Sequence, residues 1–590
     1  METLRLFDLL PRFAEKFNKP DMLAAKVNGK WVKHSSSEVT EMANLISYGL
    51  LQMGINIGDR ISIIANNRPE WIIANMGLME AGAINVPIYP TISETDLVYI
   101  LNDVEVKYVF VSNKEMFDKV NNVRLSVPSI IKIFSFDKIE GVNYWTEIIE
   151  LGNKFHNNEK LEQIKQSITP TDIATILYTS GTTGNPKGVM LSHHNLISNA
   201  VANQDAANFN PEWKALSFLP LNHVFERMLT ILYLYKGVSI YYAESMEKIS
   251  DNIKEVQPQC FATVPRLLEK VYDKIVAKGH EQKGIKKLMF FWALNLGLRY
   301  ELNGANGWWY EFQLKIANKL VFVKWREALG GNIKGIISGG AALQPRLARV
   351  FTAAQIPILE GYGLTETSPV IAVNNFRPNS ICFGTVGPII EGVEVKFASD
   401  GEILVKGPNV MKGYYKREKE TKEVIVDGWF HTGDIGELIE NRFLKITDRK
   451  KEIFKTSGGK FIAPQIIENK LKESPFIEQV MIIGESQRFP AALIVPSFAY
   501  LKEWCLIKDI EFTSYQNIIK NEKVVLRYQK EVEKVNKNLS NYEMIKKFKL
   551  MPLEWTIDSG EMTPKLSLKR NLIAKNNQTI ITEIYNSKND

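Results

Sequence analysis

The sequence has few cysteines and no long uninterrupted apolar segment. Its three cysteines, Cys260, Cys382 and Cys505, are far apart and odd in number, which excludes a disulfide framework and a zinc site and favours a reducing cytoplasm. The most apolar run, residues 288–298, is about half as long as a bilayer-spanning helix. The opening residues are interrupted by charges and by Pro11, unlike a signal peptide. We therefore expect a cytoplasmic protein without a transmembrane span.

A strong charge of one sign is also absent. The 590 residues carry 73 basic and 66 acidic side chains, a formal net charge of +7. This mild excess is compatible with acidic ligands or an anionic membrane surface, and equally with charge that only keeps the protein soluble. Nucleic acid is not expected as a partner. The hydrophobic fraction of 45% is that of an ordinary globular protein, and the length allows more than one domain.

The sequence does contain a regular alternation of strand-like and helix-like segments. Residues 59–67, 70–82 and 83–89 have, in turn, the apolar patterns of a buried strand, a helix and a strand. The next predicted helix, residues 93–104, begins with a capping pattern in which Ser93 precedes an acidic residue by three positions. This repetition predicts an α/β fold whose parallel sheets are covered by helices on both faces.

The character of the chain changes near Asp448. Residues 448–464, "DRKKEIFKTSGGKFIAP", are basic, irregular and rich in glycine, and shorter elements follow them. We therefore predict two domains, residues 1–447 and residues 448–590.

A loop rich in glycine and hydroxyl side chains lies in the first domain. Residues 178–196, "YTSGTTGNPKGVMLSHHNL", continue from an apolar strand-like run, and the carboxyl ends of strands are where open α/β sheets bind ligands. Such a loop turns backbone amides toward an anion, and Lys187 adds positive charge. The common P-loop ends Gly-Lys-Ser/Thr, whereas here Lys187 stands between Pro186 and Gly188. The pattern indicates a phosphate site of another class, and the alternative is an ordinary turn.

This loop resembles that of the adenylate-forming superfamily, which includes acyl-CoA synthetases, luciferases and the adenylation domains of peptide synthetases. Four further segments are similar to family segments and occur in family order over almost the whole chain. They resemble the acyl-site segment (219–227, "LPLNHVFER"), the adenine and magnesium segment (360–369, "EGYGLTETSP"), the ribose segment (427–436, "DGWFHTGDIG") and the hinge segment (448–464). The resemblance implies a large N-terminal domain with two α/β subdomains and a small β subdomain, followed by a small mobile α+β C-terminal domain.

The resemblance also implies a reaction. A carboxylate attacks the α-phosphate of ATP, pyrophosphate leaves, and CoA then takes the acyl group from the adenylate. Such chemistry needs charge neutralisation on the phosphates and a metal, not a nucleophilic side chain. Mg²⁺ is expected with ATP, held by Glu366 and Thr179. The expected partners are ATP, a fatty acid and CoA, and delivery to a carrier protein is the alternative.

The family's nucleotide residues can be carried over to matching positions. Tyr362 offers an aromatic face for adenine, Asp434 can accept both ribose hydroxyls, and Arg449 is expected near the same ribose. The full expected ATP and AMP set is Thr179, Ser180, Gly181, Thr182, Thr183, Gly184, Lys187, Gly361, Tyr362, Gly363, Thr365, Asp434 and Arg449. Thr182 and Glu366 are expected to act in catalysis as well.

The acyl and CoA positions follow in the same way. His223, one of only seven histidines, is expected beside the acyl carboxylate and to act in catalysis. The other expected acyl residues are Gly339, Gly340 and Ala341, and the expected CoA residues are Ser457, Gly458, Gly459 and Lys460.

The C-terminal domain should supply a hinge and a catalytic lysine. The hinge falls at Lys451, two residues after the family's arginine. An ungapped count places the adenylation lysine at Lys569, with Lys565 as the competitor. Leu568 stands where the family has glycine, a departure that leaves Lys565 open as the alternative.

The subgroup is indicated by weaker features. Residues 264–275, 324–343 and 561–570 resemble long-chain fatty-acid–CoA ligases, and about residues 277–323 look like the longer insertion of that group. The insertion is rich in aromatic residues (Phe290, Phe291, Trp292, Trp308 and Trp309) and has basic flanks (Lys286, Lys287 and Arg299). That composition fits an interfacial helix at the inner face of the cytoplasmic membrane, and fits a core-packing helix pair equally well. A homodimer, a luciferase-like oxygenase and an inactive lipid-binding relative stay open as alternatives.

Overall fold

Secondary structure follows the alternation seen in the sequence. The computed structural model describes residues 4–179, 185–556, 559–562 and 568–586. The predicted strands and helices between residues 59 and 104 are confirmed as β3 (Arg60–Ile64), α3 (Pro69–Glu80), β4 (Ile84–Pro87) and α4 (Glu94–Asp103). Ser93 caps α4 as expected, because its hydroxyl accepts a hydrogen bond from the backbone N–H of Asp96 at 3.1 Å.

The helices are, in chain order, α1 Leu9–Lys16, α2 Ser36–Gln52, α3 Pro69–Glu80, α4 Glu94–Asp103, α5 Lys114–Val123, α6 Thr146–Lys154, α7 Asn158–Ser167, α8 His193–Ala202, α9 Val224–Lys236, α10 Ile249–Val256, α11 Pro265–Glu281, α12 Gly284–Leu298, α13 Trp308–Ala317, α14 Val323–Ala328, α15 Pro345–Ala353, α16 Glu418–Val424, α17 Pro464–Leu471, α18 Phe498–Ile507, α19 Tyr515–Ile518, α20 Glu522–Asn536, α21 Arg570–Asn576 and α22 Gln578–Asn586.

The strands are β1 Leu23–Val27, β2 Lys30–His34, β3 Arg60–Ile64, β4 Ile84–Pro87, β5 Tyr108–Val111, β6 Lys132–Ser135, β7 Asn143–Tyr144, β8 Ile173–Thr179, β9 Lys187–Ser192, β10 Lys214–Ser217, β11 Ser239–Tyr242, β12 Cys260–Thr263, β13 Gly335–Ser338, β14 Ile358–Gly363, β15 Val370–Val373, β16 Glu394–Phe397, β17 Glu402–Lys406, β18 Gly413–Tyr414, β19 Ile425–Val426, β20 Trp429–Ile439, β21 Phe443–Arg449, β22 Phe454–Lys455, β23 Phe461–Ile462, β24 Ile477–Ile483, β25 Ala491–Pro496 and β26 Lys547–Leu550.

Two large sheets organise the N-terminal part. One eight-stranded sheet has the order β18-β9-β8-β4-β3-β5-β6-β7, and the other has the order β15-β14-β13-β12-β10-β11-β1-β2. The central strands are parallel, as predicted; β3, for example, pairs in parallel with both β4 and β5. Ile61 and Ile63 on β3 face one apolar core and Ile64 faces another, which explains why isoleucines occupy both faces of this buried strand.

Smaller sheets complete the mixed α/β fold. A five-stranded sheet has the order β16-β17-β20-β19, with β21 paired to β20. The C-terminal part contains a three-stranded sheet, β24-β25-β26, whose helices enclose an apolar core of its own. The large sheet-containing N-terminal domain and the separate C-terminal domain agree with the fold class predicted from the sequence.

The insertion is built from α12 and α13. Its inner side packs on α15 so closely that a Cβ on Gly297 would lie 2.8 Å from Val350 Cγ2. Its outer side exposes large apolar side chains: Trp308 is 80% exposed and Leu288 is 72% exposed. The helix pair therefore contributes to the core with one face and presents an apolar surface with the other. Among the described residues, no helix combines the length and apolarity that crossing a bilayer requires.

The C-terminal part touches the N-terminal part through polar groups. Arg266 at the start of α11 forms ion pairs with Glu269, at 3.0 Å, and with Glu478 at the start of β24. Gln344 donates a hydrogen bond to Glu269 at 2.8 Å and a longer one, 3.4 Å, to the carbonyl of Lys472. This contact is called the α11 contact below.

Candidate nucleotide and acyl site

The two strands that flank the phosphate loop pair with each other as far as the base of the loop. β8 leads into the loop and β9 leads out of it, and Thr179 is the register partner of Lys187. The loop positions Ser180, Gly181, Thr182, Thr183 and Gly184 lie outside the described residues. The Lys187 ammonium lies 5.1 Å from the centre of the Tyr414 ring, and no carboxylate of the described chain forms an ion pair with it. Its charge is therefore available to an anionic ligand.

Three predicted nucleotide residues meet at one point. The Tyr362 hydroxyl, at the end of β14, donates a hydrogen bond to Asp434 Oδ2 at 2.7 Å. Arg449 Nε lies 3.2 Å from Asp434 Oδ1, because Asp434 on β20 and Arg449 on β21 are register partners. We call these three residues the ribose cluster. They come from separate segments and are brought together only by the fold.

The electrostatics of the ribose cluster follow from its burial. Asp434 is only 4% exposed, and this burial raises its pKa above the usual value, while the Arg449 guanidinium opposes the rise. A carboxylate has about four lone-pair positions, so Asp434 can still accept hydrogen bonds beyond those it already makes. Gly361 and Gly363 flank Tyr362 on β14, and a Cβ on Gly363 would overlap the Pro369 carbonyl oxygen. Only glycine fits this close approach of the two backbones.

Glu366 lies on the next turn of the chain. It is half-buried in a short 3-10 turn, Thr365–Thr367, and Thr365 at the start of that turn is buried. Its Oε1 accepts a hydrogen bond from the Tyr414 hydroxyl at 3.0 Å. No sequence motif points to Tyr414, because nothing local shows that β18 pairs with β9.

The residues around Glu366 suit a metal that arrives with a nucleotide. The described residues contain no cluster of three or more histidine, cysteine or acidic side chains that could enclose a metal ion. Mg²⁺ commonly uses one or two protein oxygens and takes the rest from phosphates and water. A lone half-buried carboxylate with the threonine at the end of β8 fits that donor set.

His223 lies at the N-terminus of α9. Its Nδ1 accepts a hydrogen bond from the backbone N–H of Phe225 at 3.1 Å, and its ring centre is 6.5 Å from that of Tyr89. Because Nδ1 accepts, the proton of the neutral imidazole lies on Nε2. The ring can therefore donate a hydrogen bond to a carboxylate oxygen.

The predicted acyl residues after β13 face the same helix start. A Cβ on Gly339 would lie 3.2 Å from Phe225 Cζ, so the segment that contains Gly339, Gly340 and Ala341 packs directly on the beginning of α9. Beneath it, Glu360 accepts a hydrogen bond from the backbone N–H of Leu343 at 2.9 Å. Burial raises the pKa of Glu360 to about 8. No sequence pattern points to a role for this carboxyl, since burial is not visible in a single sequence.

The predicted C-terminal residues are placed differently. Ser457, Gly458, Gly459 and Lys460 are exposed in the turn between β22 and β23. Lys569 is exposed at the start of α21, and its backbone N–H donates to the carbonyl of Glu561 at 2.8 Å. Lys565 lies outside the described residues. Within the described chain, neither this turn nor Lys569 forms a hydrogen bond or ion pair with the ribose cluster or Glu366.

Lys451 lies between two anchored neighbours. Lys450 is tied to the N-terminal part, with its Nζ 2.9 Å from Glu402 Oε2 and its backbone N–H donating to the Gly433 carbonyl at 2.9 Å. Glu452 is tied to the C-terminal part by an ion pair with Arg570 at 2.9 Å. The exposed Lys451 is therefore the point at which anchoring changes from one part to the other.

Comparison with known proteins gives concordant matches along the chain. Residues 13–415 match the family of AMP-binding enzymes, and residues 451–589 match the C-terminal domain of AMP-binding enzymes. The chain is 31% identical to a long-chain-fatty-acid–CoA ligase of Mycobacterium tuberculosis, over 98% of this chain and 96% of that protein. It is 32% identical to fatty acyl-CoA synthetase A of Dictyostelium discoideum, over 94% and 86%. It is 30% identical to long-chain-fatty-acid–CoA ligase 1 of Homo sapiens, over 97% and 85%.

Solved structures share the fold at lower identity. An anthranilate CoA ligase in complex with anthranoyl-AMP aligns with a TM-score of 0.74 and 16% identity over 98% of both chains. A fatty acyl CoA synthetase of Mycobacterium tuberculosis aligns with a TM-score of 0.62 and 19% identity, over 98% of this chain and 99% of that one. At these identities the likeness establishes a common architecture.

Proposed function

Because this chain belongs to the AMP-binding enzymes, within the group of long-chain-fatty-acid–CoA ligases, we propose that it activates a long-chain fatty acid with ATP and transfers the acyl group to CoA. The observation that carries the proposal is the ribose cluster. Tyr362 is hydrogen-bonded to Asp434 and Arg449 forms an ion pair with it, near enough to Glu366 for that carboxylate to act on Asp434, where a nucleotide with its metal would be held.

In the first step a carboxylate oxygen of the fatty acid attacks the α-phosphorus of ATP. The bond to the bridging oxygen breaks, and its electron pair leaves with pyrophosphate. Mg²⁺ bound through Glu366 and Thr179 would supply charge neutralisation on the phosphates. Lys187 adds a positive charge at the base of the phosphate loop, and Asp434 accepts the ribose hydroxyls. The hydroxyl of Thr182, which lies outside the described residues, belongs to the same proposed set.

The acyl carboxylate is oriented from α9. His223 donates from Nε2 to one carboxylate oxygen and so directs the other toward the α-phosphorus. Gly339, Gly340 and Ala341 form the opposite wall, and the packing of Phe225 on Gly339 brings that wall to the histidine.

In the second step the CoA thiolate attacks the acyl carbonyl carbon and AMP leaves. We assign Lys569 to the first step and the turn at residues 457–460 to the second, with residues 448–590 as a mobile domain. The exposure of both elements supports this assignment, since neither is committed to a contact with the nucleotide residues. The change of anchoring at Lys451 supports a hinge there, because one backbone position can absorb a domain rotation.

The outer face of the insertion is proposed to touch a membrane. Trp308, Trp309 and Phe312 are 80%, 58% and 50% exposed, and Ile285 and Leu288 are each 72% exposed. Large exposed apolar groups beside lysines are the composition of surfaces that lie in a bilayer interface. Such a contact would give the enzyme access to acids dissolved in the membrane.

The decisive experiment is one assay of product release. Purified protein with ATP, Mg²⁺ and acids of graded length should release pyrophosphate. AMP should be released over many turnovers only when CoA is added. The preference should rise with chain length to about twelve to eighteen carbons, because each buried CH₂ contributes roughly 0.8 kcal/mol. Acetate should be nearly inert. Pyrophosphate release with acids but no stimulation by CoA would favour a carrier protein as acceptor, and no release with any acid would refute the proposed function.

A further inference from the structure

Tyr414 connects two groups that the proposed function places on the ATP phosphates. Its hydroxyl donates to Glu366 Oε1 at 3.0 Å, and the face of its ring lies 5.1 Å from the Lys187 ammonium. One side chain thus touches the metal carboxylate and the loop lysine. No motif in the sequence pointed to this residue.

The fold fixes Tyr414 firmly. It is 8% exposed, and β18 pairs with β9 so that Tyr414 lies opposite Val189. Its backbone N–H donates to Thr421 Oγ1 at 2.9 Å, and the neighbouring Tyr415 N–H donates to the Gly188 carbonyl at 2.7 Å. The turn that carries Glu366 is tied to the same segment, because the Met411 N–H donates to the Glu366 carbonyl at 2.8 Å. The phenol and the carboxylate are therefore held by one connected piece of backbone.

We infer that Tyr414 is a positioning residue that orients Glu366 toward the metal and holds Lys187 beside the phosphates before ATP arrives. A carboxylate that binds a metal through one oxygen leaves the other to be oriented by a hydrogen-bond donor, and the hydroxyl occupies that position. The ring attracts the ammonium by a cation–π contact, so the lysine has a defined location while its phosphate partner is absent. The inference rests on the proposed function and adds a residue to it.

The test separates metal-dependent from metal-independent binding of ATP. Calorimetric titration of ATP without fatty acid is compared in Mg²⁺ and in EDTA for wild type, Tyr414→Phe, Tyr414→Leu and the neighbouring control Tyr415→Phe. Tyr414→Phe should lose about tenfold or more of the Mg²⁺-dependent gain in affinity, the scale for removing a group that orients a metal ligand. Its ATP affinity in EDTA should equal that of wild type, because the ring remains beside Lys187.

Tyr414→Leu removes the ring as well, so it should also bind ATP more weakly in EDTA. The Tyr415→Phe control should match wild type in both conditions. An unchanged Mg²⁺-dependent gain in Tyr414→Phe would overturn the metal part of the inference, as would an equal loss with and without Mg²⁺, which indicates a packing defect. Equal EDTA affinities for the Phe and Leu variants would overturn the lysine part.

Turnover adds a second readout. In Tyr414→Phe the Mg²⁺ concentration that gives half-maximal pyrophosphate release should rise several-fold, while the KM for fatty acid stays unchanged. A raised KM for the acid without a change in Mg²⁺ dependence would contradict the inference. If wild type released no pyrophosphate with any acid, the proposed function would fail, yet the ATP titrations would still decide the role of Tyr414.

Discussion

The nucleotide residues of the N-terminal part and the catalytic residues predicted for the C-terminal part are held in opposite ways. Asp434 is 4% exposed and is fixed by two partners from other segments, and Glu366 is fixed by a third. Lys569 and the turn at residues 457–460 are exposed and make no such contacts within the described chain. On the proposed function, the nucleotide groups are preorganised before a ligand binds, whereas the C-terminal groups would depend on a movement to reach it.

The largest expected effect on activity comes from Glu366, one of the preorganised groups of the N-terminal part. Glu366→Ala should lower pyrophosphate release by roughly 10²-fold or more, the scale for losing one preorganised charge-stabilising group. The exposed Glu391→Ala is the matched control, and fatty-acid binding should be unchanged in both variants. A near wild-type rate for Glu366→Ala would remove this carboxylate from the proposed metal site.

The next prediction tests the C-terminal domain, which we propose to be mobile. Lys569→Ala should lower adenylate formation by about 10²-fold, the scale for losing one charge that stabilises the transition state. Conversion of supplied acyl-adenylate to thioester should stay mostly intact, as should ATP binding. The control is Lys575→Ala on the same helix. A loss of the first step in Lys565→Ala but not in Lys569→Ala would show that the ungapped count chose the wrong lysine.

Lys451→Pro should have the reverse pattern. Proline fixes φ and would restrict rotation at the proposed hinge, so thioester formation should fall more than adenylate formation. Rapid-quench measurement of the two half-reactions separates these effects. An equal loss in both steps would mean that residue 451 is not the hinge. The proposed domain movement would then have to occur at another residue.

A smaller effect should appear in the free energy of unfolding, and it concerns Glu226, a buried residue three positions after His223. Burial raises the pKa of Glu226 on α9 from 4.5 to about 8, and a hydrogen bond with Ser217 only partly offsets this. The folded state therefore keeps a proton on Glu226 that the unfolded state loses. The stability that depends on this bound proton is fully present below the unfolded pKa and is lost as pH rises through the folded pKa. Glu226→Gln should gain stability relative to wild type by roughly 1 kcal/mol per pH unit between about pH 5.5 and 7.5.

Denaturant unfolding at several pH values measures this slope. The exposed Glu212→Gln serves as the control and should run parallel to wild type. A Glu226→Gln curve that is also parallel to wild type would mean that Glu226 ionises as freely in the folded protein as in the unfolded chain.

The smallest effect concerns the insertion. Trp308→Ser combined with Trp309→Ser should reduce co-sedimentation with anionic vesicles at low salt by several-fold, and salt should weaken binding of the wild type because surface charges are screened within about 10 Å at 0.1 M. Leu125→Ser, at a 99% exposed position outside the insertion, is the control. Equal partitioning of wild type and the double variant would show that the exposed tryptophans do not contact the bilayer.

The sequence predicted what depends on local pattern. The alternation from β3 to α4 was readable because strand and helix periods differ and Ser93 caps its helix in the expected way. Tyr362, Asp434 and Arg449 could be named because each lies in a segment with a family resemblance. Their mutual contacts could not be predicted, since these depend on the register between β20 and β21 and on the position of β14.

Other features depend on tertiary structure alone. Tyr414 acquires its partners because β18 adds to the edge of a sheet through β9, which lies far away in the chain. The carboxyls of Glu226 and Glu360 have raised pKa values because packing removes them from water. For the insertion, apolar composition fitted an interfacial helix and a core-packing helix pair equally well, and it could not assign residues to a packed or an exposed face.

The α11 contact has a consequence for the populations of domain orientations. Between the two parts it consists of the Arg266–Glu478 ion pair and the long hydrogen bond from Gln344 to the Lys472 carbonyl, and solvent-accessible ion pairs typically contribute about 0–1 kcal/mol. A difference of about 1 kcal/mol corresponds to only about a fivefold ratio between two states. On the proposed two-orientation cycle, this contact alone would therefore bias the resting enzyme only weakly toward one orientation. A substrate that binds one orientation more tightly than the other by a few kcal/mol would shift nearly all molecules to that orientation.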